Sequence, residues 1–401
     1  MDVTNTKISK GQRRLSSLDL GGTVRAVSVD ETLARIRPLL PAFGITRVAR
    51  ITGLDHIGIP VSIAVRPASR LLSTSQGKGM TPELADISAM MESIETWHAE
   101  MMPAAGCRAS CAELASRERV VPPSSLRTPP FIRKVQEDTE VIDWVSVVEL
   151  STEESYWLPR GFLNLDTVTE GQATQATVYR VTTTGLASGN TRAEAILHGL
   201  YEAIERDAHH AFVRLPPAEQ AARRIAVDSV DCPHNRTLIA RIQEAGVHLE
   251  VSDMTSVVGI PTFHAVIVEI GALSRYFVDE GMGTHLRPEI ALSRAITEAA
   301  QSRLAYIAGS RDDLYPSTYR AERRKLLQNE GHAEARAGNK AFADVVRPPF
   351  QLCFDDNLRC VLKALKEAGH ERVFCFDHTR PNLDVPVVHV LCPGLQDIAG
   401  E

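Results

Sequence analysis

The sequence lacks the features of membrane, secreted and general nucleic-acid-binding proteins. No apolar run approaches the roughly 20 residues that a membrane-spanning helix requires, and the first 22 residues contain no apolar core of the signal-peptide kind. The formal net charge of −6 argues against a protein that binds nucleic acids or anionic membranes in general. We therefore expect a cytoplasmic protein that contacts neither a membrane nor nucleic acid.

Cysteine is scarce and irregularly spaced. The chain has seven cysteines, an odd number scattered over 401 residues, which is typical of reduced thiols in a cytoplasm rather than of a disulfide framework. Cys107 and Cys111 form a C-x3-C pair, but no second pair stands at the spacing of a zinc site. Buried or incidental thiols are therefore the favoured interpretation.

The common nucleotide-binding motifs are absent as well. The sequence contains no G-x-x-x-x-G-K-[ST] loop, no dinucleotide fingerprint of a Rossmann domain and no kinase HRD and DFG set. Any nucleotide site in this chain is therefore of a less usual kind.

The chain has enough apolar material for a large core, since 44% of its residues are hydrophobic. Helical patterns alternate with strand patterns, which predicts an α/β or α+β fold with helices packed on mixed β-sheets. We expect a disordered tail at residues 1–22 and a single catalytic unit over 23–401, with a charged surface excursion near 309–345. Two shorter predictions are a glycine-rich loop, "STSQGKGMT", and a strand, "QATVYRVTTTG".

One predicted helix, inside the segment "ASGNTRAEAILHGLYEAIERDA", carries an acidic stripe. At about 100° per residue, Glu194, His198, Glu202 and Glu205 fall within roughly 80° of one another. Carboxylates one helical turn apart repel each other. The stripe is therefore either fully solvated or faces something positive.

Two other predicted helices repeat this arrangement. Ser88, Glu92 and Glu95 follow the "GKG" segment on one stripe, and a third helix places polar residues at i, i+4 and i+7, namely Arg294, Glu298 and Gln301. A solvated face is the plain interpretation of any single stripe, and a histidine such as His198 is more often structural than a ligand.

Three stripes together favour a magnesium–nucleotide site. Solvated helix faces usually carry lysines that pair with their glutamates. The first two helices have no lysine opposite their glutamates. Carboxylate and phosphate oxygens are the ligands that Mg²⁺ prefers. The charges of Lys78, Arg206 and Arg294 and the backbone N–H groups of glycine-rich helix starts would meet the phosphates.

The segments "SGNTRAEAILHGLYEAIERDA" and "GKG…ISAMMESIE" resemble the signature helices of the YcaO family. The resemblance extends from about Arg25 to the closing "VLCPGLQDI". It implies a YcaO-type fold with a central ATP site and an enzyme that uses ATP and Mg²⁺ to phosphorylate the oxygen of a peptide-backbone amide. Phosphate then becomes the leaving group when a nucleophile has added to the carbonyl.

The resemblance also implies roles for individual residues at matching motif positions. It assigns ATP contacts to Arg25, Thr32, Ser88, Asn190, His198, Arg206 and Arg294; Lys78 joins these predicted contacts through its charge and not through the resemblance. It assigns Mg²⁺ ligands to Glu92, Glu95, Glu194, Glu202 and Glu205. The resemblance assigns no general base.

Within the family, the segments "TGLDHIGIPVSIAVRP" and "PVVHVLCPGL" resemble the branch found beside TfuA proteins, which is associated with backbone thioamides. The sequence does not end in the proline-rich tail of azoline-forming members. The resemblance therefore implies thioamide formation on a peptide or protein substrate, with a TfuA-like partner and a homodimeric enzyme.

Three alternatives remain open at this point. The chain could form azolines from a precursor peptide, in which case the product has lost water instead of exchanging oxygen for sulfur. It could be an ATP-binding accessory of another modification system, without catalysis of its own. It could also be an acidic α/β protein without a ligand.

Overall fold

The computed structural model describes residues 17–126, 135–166, 182–269, 277–313 and 337–396. Its helices are α1 (Val29–Ile36), α2 (Pro82–Glu100), α3 (Cys111–Ala115), α4 (Arg192–Val213), α5 (Pro217–Ala222), α6 (Pro233–Glu244), α7 (Pro288–Ala308) and α8 (Phe354–Glu367). Its strands are β1 (Leu18–Asp19), β2 (Val24–Arg25), β3 (Arg47–Arg50), β4 (Val61–Val65), β5 (Thr74–Lys78), β6 (Cys107–Ala109), β7 (Ile142–Glu149), β8 (Ser155–Pro159), β9 (Leu186–Ser188), β10 (His248–Asp253), β11 (Thr262–Glu269), β12 (Phe277–Thr284), β13 (Phe374–Asp377) and β14 (Val387–Leu391).

Helices α1, α2 and α4 begin where the sequence supplies capping side chains. Ser28 and Glu31 form a capping box at the start of α1, because each side chain bonds the other residue's backbone N–H. Thr81 caps α2 and Thr191 caps α4 through side-chain oxygens that accept backbone N–H groups. The two helices with predicted glutamate stripes therefore start at fixed points, which sets the direction of each stripe.

Three helix-on-sheet units make up most of the molecule. Helix α2 packs on the sheet β3-β4-β5, helix α7 packs on the sheet β10-β11-β12, and helix α4 packs on β9 and β14 of a sheet ordered β6-β7-β13-β14-β9, in which β8 also pairs with β7. The named strand pairs are all antiparallel, for example β4 with β5 and β11 with β12. The predicted class, helices packed on sheets, is confirmed, and the antiparallel pairing places the fold in the α+β class.

Glycine lets two of these helices approach their strands very closely. A Cβ atom added to Gly77 in β5 would lie 2.0 Å from the backbone nitrogen of Ala89 in α2. A Cβ atom added to Gly281 in β12 would lie 2.2 Å from the backbone nitrogen of Ala299 in α7. Both strands therefore need a residue without a side chain at the contact.

Part of the predicted glycine-rich loop is a strand. Residues Thr74–Lys78 of "STSQGKGMT" form β5 and pair with β4, with Gly77 opposite Ser62. The loop prediction was wrong because glycines usually mark turns, whereas here Gly77 serves a close helix contact inside a strand.

Two boundary predictions also need correction. The expected tail at 1–22 does not extend so far, because Leu18–Asp19 pairs with Val24–Arg25; residues 1–16 lie outside the described residues. The expected excursion at 309–345 ends in the core, since Phe342 and Val345 are buried with the residues of the β10-β11-β12 sheet. Residues 314–336 of that segment, and most of the predicted strand "QATVYRVTTTG", lie outside the described residues.

Two sequence-level expectations concern cysteine and membranes. All seven cysteines are free thiols in the structure. Among the described residues, no helix is long and apolar enough to cross a membrane.

Candidate nucleotide and magnesium site

A central cavity of about 560 Å³ lies where α2, α4 and α7 converge. All thirteen residues that the sequence predicted for the site contribute to its wall: Arg25, Thr32, Lys78, Ser88, Glu92, Glu95, Asn190, Glu194, His198, Glu202, Glu205, Arg206 and Arg294. The structure thus brings together side chains from β2, α1, β5 and three separate helices. Their ligand roles stay predictions.

The acidic side chains differ in how far the protein already satisfies them. Glu194 is buried and accepts hydrogen bonds from the backbone of Ala26 at 3.0 Å and from the Asn190 amide at 3.4 Å. Its carboxylate also lies 3.8 Å from the Arg25 guanidinium. In this state Glu194 therefore joins strand β2 and the start of α4.

Glu95 and Glu202 bind the backbone at the entry to α4. Ser188 donates to Glu95 from its backbone nitrogen at 2.8 Å and from its hydroxyl at 2.5 Å. The Gly185 backbone donates to Glu202 at 3.2 Å. These bonds attach β9 and the residues before it to both acidic helices, so the two stripes cannot move independently of that strand.

Glu205 is the acid with the least support from its surroundings. It is only 2% exposed, and its Oε2 has no hydrogen-bond partner among the described residues. Burial, followed by the nearby Glu298 carboxylate, raises the pKa of Glu205 to about 7. Burial likewise raises the pKa of Glu95 to about 8. Such groups stabilise a bound cation, because a cation removes the cost of burying their negative charge.

The basic side chains face the same space. Lys78 on β5 forms an ion pair with Glu298 on α7, and Arg294 donates to the His198 ring at 3.3 Å. The Nε of Arg294 is buried and has no hydrogen-bond partner among the described residues. A buried guanidinium nitrogen without an acceptor favours an anionic ligand such as a phosphate.

His198 is a neutral imidazole in this cavity. Burial and the charges of Arg294, Arg25 and Lys78 hold the pKa of His198 well below its ordinary value. Because Arg294 donates to its Nε2, that nitrogen is an acceptor in the structure. A neutral ring at this position is suited to hydrogen bonding and not to ion pairing with a phosphate.

Two further charged residues, Glu298 and Arg311, form part of the same wall. Glu298 lies on the stripe with Arg294 and Gln301, so its signal was the i, i+4 spacing on α7. Arg311 follows the left-handed Gly309 that ends α7, and its pKa is raised mainly by its hydrogen bond to Asp313 and further by the charges of Asp313 and Glu92. No local pattern could have predicted Arg311, because it reaches the cavity only through the packing of α7 beside β5.

A third residue acts from behind the wall. Arg35 on α1 donates to the Asn190 side-chain oxygen at 2.9 Å and to the Asn190 carbonyl at 3.2 Å. Thr32 also bonds that side-chain oxygen, at 3.0 Å. Because a guanidinium only donates, the Asn190 oxygen must face Arg35, and its NH₂ group turns toward Glu194.

These observations together test whether the residues fit ATP and Mg²⁺. The described wall contains carboxylates from three helices, an unpartnered buried carboxylate oxygen and an unpartnered buried guanidinium nitrogen. Among the described residues, no three His, Cys, Asp or Glu side chains already converge as a preformed metal centre. Hard cations whose remaining ligands are phosphate oxygens and water match such spread carboxylates. The residues fit the pair of ligands.

Comparison with known proteins agrees with this geometry. A family model described as YcaO cyclodehydratase, ATP- and Mg²⁺-binding, matches residues 76–396. The chain belongs to the YcaO family. The predicted cofactors, ATP and Mg²⁺, are those of this family.

Relatives extend along nearly the whole YcaO chain. A protein of Rhizobium leguminosarum bv. trifolii, described as an uncharacterized protein in the tfuA 3′ region, is 36% identical over 397 residues, which cover 94% of this chain and 90% of the relative. An uncharacterized protein of Methanothermobacter thermautotrophicus is 34% identical over 382 residues, with 93% and 95% covered.

Solved structures share the fold. YcaO from Methanopyrus kandleri, bound with AMPPCP and Mg²⁺, superimposes with a TM-score of 0.72 at 24% identity and covers 95% of both chains. A heterocyclase in complex with substrate and cofactor gives a TM-score of 0.77 at 21% identity. The match covers 97% of this chain and 56% of the heterocyclase. This chain therefore spans about half of that larger enzyme.

Proposed function

We propose that this YcaO protein uses Mg·ATP to phosphorylate a peptide-backbone amide oxygen, and that it does so in thioamide formation with a TfuA-like partner. One observation carries the nucleotide part of the proposal: glutamates from α2, α4 and α7 line one cavity together with Lys78, Arg206 and Arg294. The relative from the tfuA 3′ region supports the TfuA-like partner, and the thioamide product rests on the resemblance to the TfuA-associated branch.

The chain's own residues have distinct tasks in this proposal. Glu205, Glu202, Glu92 and Glu298 would hold Mg²⁺, since their carboxylates come from helices α2, α4 and α7. Lys78, now paired with Glu298, and the unpartnered Nε of Arg294 would bind phosphate oxygens. Glu194 and Glu95 keep β2 and β9 in place while also facing the ions.

When bound, Mg·ATP supplies the phosphoryl group that makes the amide oxygen a leaving group, with its charge neutralised by the metal. The protein contributes position and electrostatics. Arg294 and Arg206 stabilise negative charge on phosphate oxygens, and the walls of the cavity keep bulk water from competing for those contacts. Sulfide as nucleophile gives a thioamide; a neighbouring Cys, Ser or Thr side chain gives an azoline.

Azoline formation is the second candidate. The family model is described as a cyclodehydratase, and a heterocyclase is among the structural neighbours. We favour the thioamide because of the tfuA-region relative. We also retain the homodimer and the peptide or protein substrate as proposals.

The decisive experiment pairs nucleotide binding with product mass. We expect Mg·ATP to raise the melting temperature of the protein, and Glu202→Gln to abolish ATP turnover, since it removes one negative charge from the metal site. Burial raises the pKa of Glu202, so loss of its charge should not lower the ligand-free melting temperature. Glu244→Gln, at the exposed end of α6, is the matched control and should behave as wild type.

Product identity is read by mass spectrometry after coexpression with a TfuA-like protein and its neighbouring peptides. Exchange of oxygen for sulfur supports the proposal, and loss of water supports azoline formation. Full turnover by Glu202→Gln contradicts the site. Nucleotide binding without substrate-dependent ATP consumption would make the chain an accessory protein.

A further inference from the structure

A second groove lies along β3, at the edge of the β3-β4-β5 sheet opposite to the edge that borders the central cavity. This β3 groove has a volume of about 640 Å³, and it is lined by Arg37, Leu40, Ile45, Thr46, Arg47, Val48, Arg50, Asp86 and Met90. Strand β5, at the opposite edge of the same sheet, contributes to the cavity wall. Two strand spacings, about 10 Å, therefore separate the groove from the proposed active site.

Strand β3 has an open edge along this groove. It pairs with β4 on one side, and no described strand pairs with its other side. Ile51 donates to the Val61 carbonyl, and hydrogen-bonded pairs alternate along antiparallel strands. Val48 and Arg50 therefore direct their N–H and C=O groups away from β4, into the groove.

The groove combines an apolar floor with a basic rim. Ile45 and Met90 are buried, and Leu40 and Val48 are half-buried beside them. Arg37 and Arg47 are exposed, and neither forms an ion pair with a described residue. Arg50, by contrast, is paired with Asp86 and Glu83. The rim is thus positive on a chain whose formal net charge is −6.

We propose that the β3 groove binds an acidic, extended peptide segment of a partner protein as an added strand. The open edge supplies main-chain hydrogen bonds, the floor accepts alternate apolar side chains, and Arg37 and Arg47 pair with acidic side chains between them. This inference goes beyond the proposed function, because it concerns where a second chain docks and not the reaction.

A second copy of this chain is a poor occupant. A second β3 carries the same two arginines, Arg47 and Arg50, so pairing β3 with itself would bring four guanidinium groups to one short sheet edge. Like charges directly opposite each other destabilise a strand pair. The same arginines that repel another β3 attract an acidic strand.

The test measures binding of a fluorescein-labelled peptide of alternating glutamate and valine by fluorescence anisotropy, with a lysine–valine peptide as the charge-reversed probe. We expect only the acidic peptide to bind. Combined Arg37→Glu and Arg47→Glu substitutions should raise its Kd at least about tenfold. Arg236→Glu, on the exposed face of α6, should change Kd less than about twofold, since that charge lies far from the groove.

Backbone recognition is tested by N-methylation. Two further peptides carry N-methyl groups at either odd or even positions. An added strand uses alternate N–H groups, so one methylated peptide should lose binding and the other should keep it.

Three outcomes overturn the inference: equal binding of acidic and lysine peptides, equal loss with both methylated peptides, or unchanged binding by the double arginine variant. If sedimentation shows that the protein is a dimer and that Arg47→Glu dissociates it, the groove binds a second copy of the chain. That result also overturns the inference. The peptide-binding measurements require no ATP turnover. The increase in melting temperature that Mg·ATP causes in the double arginine variant therefore reports on the nucleotide site separately.

Discussion

Arg35 shows how one residue outside the cavity sets the chemistry inside it. Its two hydrogen bonds to Asn190 fix the side-chain amide so that the NH₂ group is available on the Glu194 side. Arg35 is therefore a positioning residue. A role of this kind changes nucleotide affinity more than it changes the fold.

We expect Arg35→Met to raise the KM for ATP about tenfold with a smaller effect on kcat, because one charge-assisted hydrogen bond is worth roughly 1.5 kcal/mol. Arg35→Lys keeps the positive charge on one donor nitrogen in place of the two that bond Asn190, and should restore part of the affinity. Steady-state ATP kinetics measure both. Equal falls in kcat for both variants, with KM unchanged, would show that Arg35 does not orient Asn190.

At the level of helices and strands, the β5–α2 contact aligns the first acidic stripe with the cavity. Gly77 lets α2 lie against β5, and α2 carries Ser88, Glu92 and Glu95. A side chain at Gly77 would push the helix from the strand, so the stripe would shift relative to α4.

Gly77→Ala should therefore lower the free energy of unfolding by about 3 kcal/mol, the upper end of overpacking costs. Gly53→Ala is the control, since its Cβ would meet no atom within 4 Å and its φ is not positive; that change should be neutral or slightly stabilising. Urea denaturation measures both. Equal stability of the two variants would mean that α2 can retreat at no cost.

Across the whole protein, the buried acids make stability depend on pH and on ligand. The pKa of Glu205 is about 7 in the folded protein against an ordinary 4.5, and Glu95 behaves similarly. The folded state then keeps protons that the unfolded chain has released. The stability that these two acids contribute to the ligand-free protein is therefore lost as pH rises from about 5 to about 8, while buried histidines of lowered pKa, such as His98 and His389, act in the opposite direction below about pH 6.5.

Mg·ATP should reverse this trend, because a cation binds the deprotonated carboxylates. We expect the increase in melting temperature caused by Mg·ATP to be small near pH 5 and to grow toward about pH 8. Thermal denaturation across this range measures it. In Glu205→Gln the loss of ligand-free stability with pH should be shallower. A melting shift independent of pH would contradict the assignment of these acids to the metal.

The sequence was sufficient for features that depend on local physical chemistry. Ser28, Thr81 and Thr191 cap helices through bonds to residues three positions away, and the period of α4 places Glu194, Glu202 and Glu205 on one stripe, because backbone bonding and 3.6-residue periodicity act over a few residues. The motif resemblance added the family, which the family model bears out.

Other features depend on contacts between distant segments, so no local pattern reveals them. Strand β5 has glycine at position 77 because the backbone of α2 lies 2.0 Å from where a Cβ would be. Phe342 is buried because it packs against residues of the β10-β11-β12 sheet. Arg35 and Arg311 join the site only when α1 meets α4 and α7 meets β5. Local bonding fixes which face of each helix is acidic; long-range packing alone fixes that the three faces share one cavity.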